Sequence, residues 1–281
     1  MRTIRQHPRS RIVVNDVYAY SEAVRCFGDS VRELSASDPI RKITVEFTKN
    51  RELDVANGRF VDTQYGEAGY ELFHMLSILR SILPADDYRA YLRAAPVSVT
   101  SEMRVRTLVE GLPEIELYTS SAGFIAYADL AGFAFSEPVA KDCTTHASIP
   151  YGTEFRYRVA DVELDSGTHV TLVFEPRFGS SVDFKNMHSV HVRDAAHVRD
   201  GVSQHHFMIS GNHFEEALLA QLELLHSVEE GTALIRLAEL RRMAALSTAV
   251  STGTFPQPSE TDQPGDPQGN DRMFARLGSG T

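Results

Sequence analysis

From about residue 97 to 176 the chain alternates apolar and polar side chains, and past about 183 apolar residues recur at helical spacing. A period of two places one side of each strand against a core, whereas a period near 3.6 does the same for one face of a helix. The first block holds "VSVTSEMRVRTLVEG", "EIELYTSSAGFIAYADLAGFAFSE", "EFRYRVADVEL" and "THVTLVFEP", the last two joined at "DSG" in hairpin style. Upstream, "RKITVEFTKN" reads as a strand and "YGEAGYELFHMLSILRSILP" as a helix through Leu72, Met75, Leu76 and Leu79, stopped at Pro84. Downstream, "HFEEALLAQLELLHSV" and "ALIRLAELRRMAAL" read as helices. The fold class expected is a single α+β domain: a mixed sheet of about six strands drawn mostly from 43–176, packed on helices from 66–83, 213–227 and 232–247. Leu234, Ile235, Leu237, Ala238, Leu240, Met243 and Leu246 cover nearly every direction of the last helix, which reads as central and buried.

The domain is expected over 41–251. Residues 1–40, with a strand in "RIVVNDVYAY" and a helix in "SEAVRCFGDSVRELS", read as an N-terminal extension. The stretch 252–281 concentrates Pro, Gly, Ser, Thr, Gln and Asp without periodicity and reads as a disordered tail. Thirty-eight acidic residues against 28 basic ones leave a net charge of −10, which supplies no bulk attraction for nucleic acid. Cys26 and Cys143 have neither disulfide-framework nor zinc-site spacing. No apolar run reaches membrane-span length and no secretory h-region follows the basic start, so the chain reads as soluble, cytoplasmic or exported by a route the sequence does not show.

Six of the eleven histidines lie between His188 and His213. His188-x-x-His191 would offer two metal ligands on a helix, but no HExxH and no acidic ligand at fixed offset accompany it, so no metal is expected. The repeat "HVRDAAHVRD" reads as a charged loop or helix insertion, and Cys143 with His146 as a chance CxxH. No GxSxG, P-loop or GxGxxG motif is present, and no cofactor is expected. Glu239 and Arg242 remain: a carboxylate on a largely apolar helix needs a partner, and an arginine three residues on is within reach. The alternative is a narrow solvated stripe of Arg236, Glu239 and Arg242.

Taken in order, several segments resemble the A chains of ribosome-inactivating proteins, the rRNA N-glycosylases related to ricin and Shiga toxin. "ITVEF" with "YELFHMLSILRSIL" is similar to the family's first strand and long helix. "AGFIAYADLAGFAF" and "FGSSVDFKNM" resemble the two segments that carry its active-site tyrosines. "SGNHFEEALLAQL" and "ALIRLAELRRMAAL" resemble its later helices, the second with the Glu-Ala-x-Arg pair. Phe124 stands where the first tyrosine is expected and Val182 where the second is, and the chain has no Trp. A second register would set Met243 and Leu246 in place of the Glu and Arg.

The resemblance implies removal of an adenine from large-subunit rRNA, and so translation inhibition by a toxin-like hydrolase with the ribosome as partner. It assigns Arg242 as acid toward the leaving base and Glu239 as the carboxylate facing an oxocarbenium-like sugar, with Phe124, Tyr127 and Val182 at the substrate. The other reading it leaves open is a catalytically degenerate member acting as a binding or interaction module.

Overall fold

The computed structural model describes residues 11–59, 66, 68–100, 103–180, 184–196, 205–227, 232–235, 237–256 and 273–276. Its strands are β1 (Ile12–Val13), β2 (Ile40–Thr48), β3 (Ser98–Val99), β4 (Arg104–Thr107), β5 (Glu114–Ser120), β6 (Tyr157–Leu164), β7 (His169–Phe174), β8 (Met187–Arg193), β9 (His205–Ser210), β10 (Thr232–Ile235) and β11 (Met273–Arg276). The helices are α1 (Glu22–Ser35), α2 (Glu52–Ala56), α3 (Ala68–Ile82), α4 (Ala85–Arg93), α5 (Ala128–Ala131), α6 (Pro138–Thr145), α7 (His213–Ser227) and α8 (Leu237–Thr252). Eight strands make one mixed sheet in the order β3-β4-β5-β2-β6-β7-β8-β9. Central β2 runs parallel to β5 and antiparallel to β6, because α3 and α4 carry the chain back along the sheet before β5 forms.

Strict alternation gives the sheet two different faces. Ile43, Val45 and Phe47 of β2, Ile115 and Leu117 of β5, Ala160 and Val162 of β6, and Val170, Leu172 and Phe174 of β7 point to one side. There they are buried with Val24, Phe27 and Val31 of α1 and Leu72, Met75, Leu76 and Leu79 of α3. Each large apolar side chain removed from water contributes about 1.5–3 kcal/mol, so this helix-covered face is the main core. Residues from Val17 to Val31 belong to it: Val17, Tyr18 and the apolar stripe of α1 are inside the cluster rather than appended to the domain, while residues 1–10 lie outside the described residues.

The second face is covered by residues 121–149, where Ile125, Ala131, Phe135, Ala140, Cys143 and Ile149 pack on Tyr157, Val159 and Val173. This cover is irregular, and polar side chains of the sheet satisfy its backbone. Glu46 accepts from the N–H groups of Ala126 (2.9 Å) and Tyr127 (2.8 Å), Tyr157 donates to Tyr127 O (2.7 Å), and Asn50 donates to Ile149 O (3.1 Å). At Gly123, φ is +85° and a Cβ would lie 2.5 Å from the carbonyl oxygen of Ile149, so only glycine fits where the cover leaves the sheet.

Several expectations need correction. The main sheet has eight strands rather than about six, because β8 and β9 form where helices were expected. In "MHSVHVR" the alternation is hidden: His188, Val190 and Val192 face the main core while Ser189, His191 and Arg193 face the polar side. Thr232–Ile235 is a strand rather than the start of the last helix, pairing parallel with β1 and antiparallel with β11. Helix α8 starts at Leu237 and is buried on one face only, through Glu239, Arg242, Leu246 and Ala249, while Leu240 is exposed. In the expected tail Met273–Arg276 forms β11, and the remainder from 257 lies outside the described residues. No helix among the described residues is long and apolar enough to cross a membrane.

Candidate functional site

The structure does not join Glu239 to Arg242. Glu239 Oε1 accepts from Arg80 Nη1 (2.7 Å) and Tyr88 OH (2.9 Å), and Arg80 also binds Asp16 (2.9 Å). Arg242 instead donates to the carbonyl oxygen of Ala94 and to Thr107 Oγ1 (3.1 Å), with its guanidinium 4.8 Å from the ring centroid of Tyr91. Both side chains lie on the buried face of α8, so the mutual pair is not formed and neither belongs to a solvated stripe: each finds a nearer partner on a different element, and Arg236 lies outside the described residues. Thr107 pairs with Ile115 and so marks the helix-covered face of the sheet. Tyr127 lies on the other face, where its hydroxyl donates to Glu116 (2.7 Å) and its ring stands edge-on to Tyr118. Phe124 sits in the same cover segment, 53% exposed. The sheet therefore separates the expected catalytic residues from the expected stacking wall, and Val182 lies outside the described residues.

The histidine motif is separated by the same rule. Three apart on β8, His188 stacks on His213 (4.6 Å) on one face, whereas His191 stacks on His206 (4.5 Å) on the other. Among the described residues no group of three His, Cys, Asp or Glu is placed to hold a metal ion.

A different constellation forms at the carboxyl end of β2, on the helix-covered face. Phe47, Arg158, Phe174 and His188 make a row across β2, β6, β7 and β8. Tyr18 lies over the row, 5.3 Å from Phe47 and 5.1 Å from Phe174, flanked by His74 of α3 (4.9 Å) and His213 of α7 (5.2 Å). Glu71, in the first turn of α3, accepts through Oε1 from Arg51 (2.6 Å) and Arg158 (2.9 Å), and Arg158 donates onward to Tyr18 OH (2.8 Å). Glu175 closes the edge. It is buried at φ +57°, a left-handed conformation that a non-glycine residue holds only when its surroundings impose it.

Burial sets the protonation states. Burial acts to raise the Glu71 pKa, but the charges of Arg158, His74 and Arg51 outweigh it and hold the carboxyl below its usual range. Desolvation pushes Tyr18 up to about 12 despite Arg158, and pushes His74 and His188 down to about 4 and His213 to about 3. At neutral pH the cluster is thus an ionised Glu–Arg network beside three neutral imidazoles and a neutral phenol. Its hydrogen-bonding capacity is incomplete: Glu71 Oε2, Ser21 Oγ and the Nδ1 atoms of His74, His188 and His213 are buried without a partner among the described residues. His188 Nε2 lies 3.4 Å from Gly211 O and carries the proton if that contact is made, which leaves Nδ1 as an acceptor. Buried polar atoms are nearly always paired, so unmet ones on Glu71, His74, His188 and His213 in one cluster point to a polar group that belongs there.

Of these residues the sequence singled out only His188 and His213, as part of a histidine-rich stretch, and neither Tyr18, Glu71 nor Arg158. One signal was present: Arg158 occupies an otherwise apolar alternation with Ala160, Val162 and Leu164, and Glu71 shares a buried stripe with Leu72, Met75 and Leu79. A charge on a core-facing position costs stability unless it is paired.

No family model matches the chain, and no curated protein matches it. A solved structure that overlaps it is KijD10, a 3-ketoreductase from Actinomadura kijaniata, in complex with NADP and TDP-benzene. The identity is 12%, the overlap covers 85% of this chain and 61% of that one, and the TM-score is 0.43. A likeness that remote assigns this chain neither a fold family nor an activity. The resemblance to ribosome-inactivating proteins is corrected nonetheless. In the site it implied, Glu239 binds Arg80 and Arg242 binds Thr107 instead of each other, and the sheet separates both from Phe124 and Tyr127. What remains of that reading is the α+β class. The ribosome-inactivating fold, adenine removal, the glycosidase class and the ribosome as partner fall with it.

Proposed function

We propose that the chain binds a small, neutral, hydroxyl-rich molecule at the Tyr18–Glu71–Arg158 cluster. The observation that carries this reading is Glu71 Oε2, a buried carboxylate oxygen left unpaired while Oε1 takes two guanidiniums. A carboxylate oxygen accepts only, and in the tautomer set by Gly211 so does His188 Nδ1; both call for donors from a ligand. Tyr18, whose hydroxyl oxygen accepts from Arg158, carries a proton that calls for an acceptor. A polyol or sugar supplies both on adjacent carbons. A neutral ligand suits a cluster in which Arg51, Arg156 and Arg158 stand against Asp54, Glu71 and Glu175, with no surplus charge to recruit an ion. Arg51 and Arg158 retain 16% and 13% of their side-chain exposure, so the cluster has a route to solvent.

Saturation-transfer NMR with a panel of monosaccharides and inositols tests the reading. The wild type is expected to show transfer that Glu71→Gln and His188→Phe abolish and that Glu116→Gln, on the opposite face, preserves. Absence of transfer from every neutral polyol tried, or transfer undiminished in a folded Glu71→Gln variant, refutes it.

A further inference from the structure

Helix α7 buries only one of its faces. His213 and Ala217 point inward, whereas Phe214, Leu218, Leu219 and Leu222 stand exposed on the side away from them. Exposed leucines are ordinary when scattered singly, but large apolar side chains gathered on one face of a single helix form a strip of the kind that marks an interface. At about 100° per residue, the centre of this exposed face is the line Glu215, Leu219, Leu222 and His226, all exposed and spaced as helices that pack along a seam require. Phe214 and Leu218 widen the line on one flank. The two leucines thus occupy the middle of the seam, with a carboxylate at its N-terminal end and an imidazole at its C-terminal end. Glu215 and His226 lie about 16 Å apart along the helix axis, too far to pair with each other.

We propose that this face of α7 is the contact surface of a homodimer, its occupant the α7 helix of a second copy laid antiparallel across a two-fold axis. Charge complementarity selects both the partner and the direction. With the axis between Ala220 and Gln221, Leu219 meets the partner's Leu222 and Glu215 meets the partner's His226, and each contact is made twice. The strip therefore complements itself from end to end. A parallel pairing would set Glu215 against the partner's Glu215 and lose that match. Burial of the leucines supplies the attraction, and the Glu–His contacts fix direction and register. Because the seam faces away from His213, it shares no residue with the Tyr18 cluster, and either reading stands without the other.

Sedimentation velocity on the full chain across the micromolar range tests the proposal. The wild type is expected to shift from the monomer toward twice that mass as concentration rises. Leu219→Asp places a charge in the seam twice per dimer and is expected to weaken association at least about 100-fold. His226→Glu opposes two carboxylates at each end of the seam and is expected to weaken it about 5- to 30-fold. Adding Glu215→Lys to His226→Glu restores the attraction and is expected to return affinity to within about threefold of wild type. The rescue is specific to the antiparallel pair, because only a second copy brings both substituted positions to the interface. All three positions are exposed, and thermal melting establishes that each variant is folded. A wild type that stays monomeric, whether another protein or the chain's own termini cover the strip, overturns the proposal. So does a dimer that Leu219→Asp leaves intact, or a double variant that associates no more tightly than His226→Glu alone.

Discussion

Replacing Glu71 with leucine takes from Arg51 and Arg158 the carboxylate oxygen that both bind. Arg158 is the more exposed to this loss of partner: it lies under Tyr18 and beside Phe47, and its remaining hydrogen bond is the one to the Tyr18 phenol oxygen. Arg51 can still turn to Asp54, 3.5 Å away. Stranding a buried charge costs about 3–5 kcal/mol, so Glu71→Leu should lower stability by about that amount and Tm by about 6–20 °C. Arg158→Met should cost less, about 1–3 kcal/mol, because Glu71 keeps Arg51 at 2.6 Å. The double variant Glu71→Leu with Arg158→Met replaces the pair by apolar volume and should return to within about 1–2 kcal/mol of wild type, a coupling of about 2 kcal/mol or more. Urea unfolding followed by circular dichroism, with matching m-values, measures all three. A Glu71→Leu penalty below about 1 kcal/mol, or additive single effects, would refute the claim that the carboxylate neutralises Arg158. The double variant also separates fold from function: it should be stable and should fail to bind polyol.

Burial holds His74 and His188 at about 4 and His213 at about 3 against an ordinary 6.5, so as pH falls the unfolded chain takes up protons first. Stability from these groups is full above about 6.5 and is lost as pH falls from about 6.5 to 4 for His74 and His188 and to about 3 for His213; urea unfolding across that window should show His188→Phe binding about one proton fewer on unfolding, and an unchanged slope would contradict it. Glu46 has the opposite sign: burial lifts it to about 7 in spite of the Ala126, Tyr127 and Thr48 donors, so its contribution declines as pH rises from about 4.5 to 7. Its carboxyl carbon should titrate near pH 7 by NMR, and a midpoint between 4 and 5 would show that the cover does not exclude water from it.

The architecture was legible wherever one face of an element was apolar. "ITVEF", "YRVADVEL" and "THVTLVF" follow period two, and "YELFHMLSIL" places Leu72, Met75 and Leu79 one helical turn apart, so β2, β6, β7 and α3 form where the spacing put them. The β8 strand was hidden because "MHSVHVR" carries histidine on its core side and serine, histidine and arginine on the other, which dilutes the alternation that marks a strand. Helix α8 misled for the converse reason. Its apolar residues are spread around the wheel, yet the buried positions include Glu239 and Arg242, and Leu240 faces outward.

The sequence by itself determined which residue types were at hand and the local periods that shape strands and helices, because both follow from the chain's own geometry over a few residues. Partners were decided by the tertiary structure alone. Glu239 reaches Arg80 across 159 positions rather than Arg242 across three, and Glu71 meets Arg158 across 87, because a buried charge binds whichever opposite charge packing sets within about 3 Å. Sequence separation carries no information about that distance once strands from remote segments lie side by side.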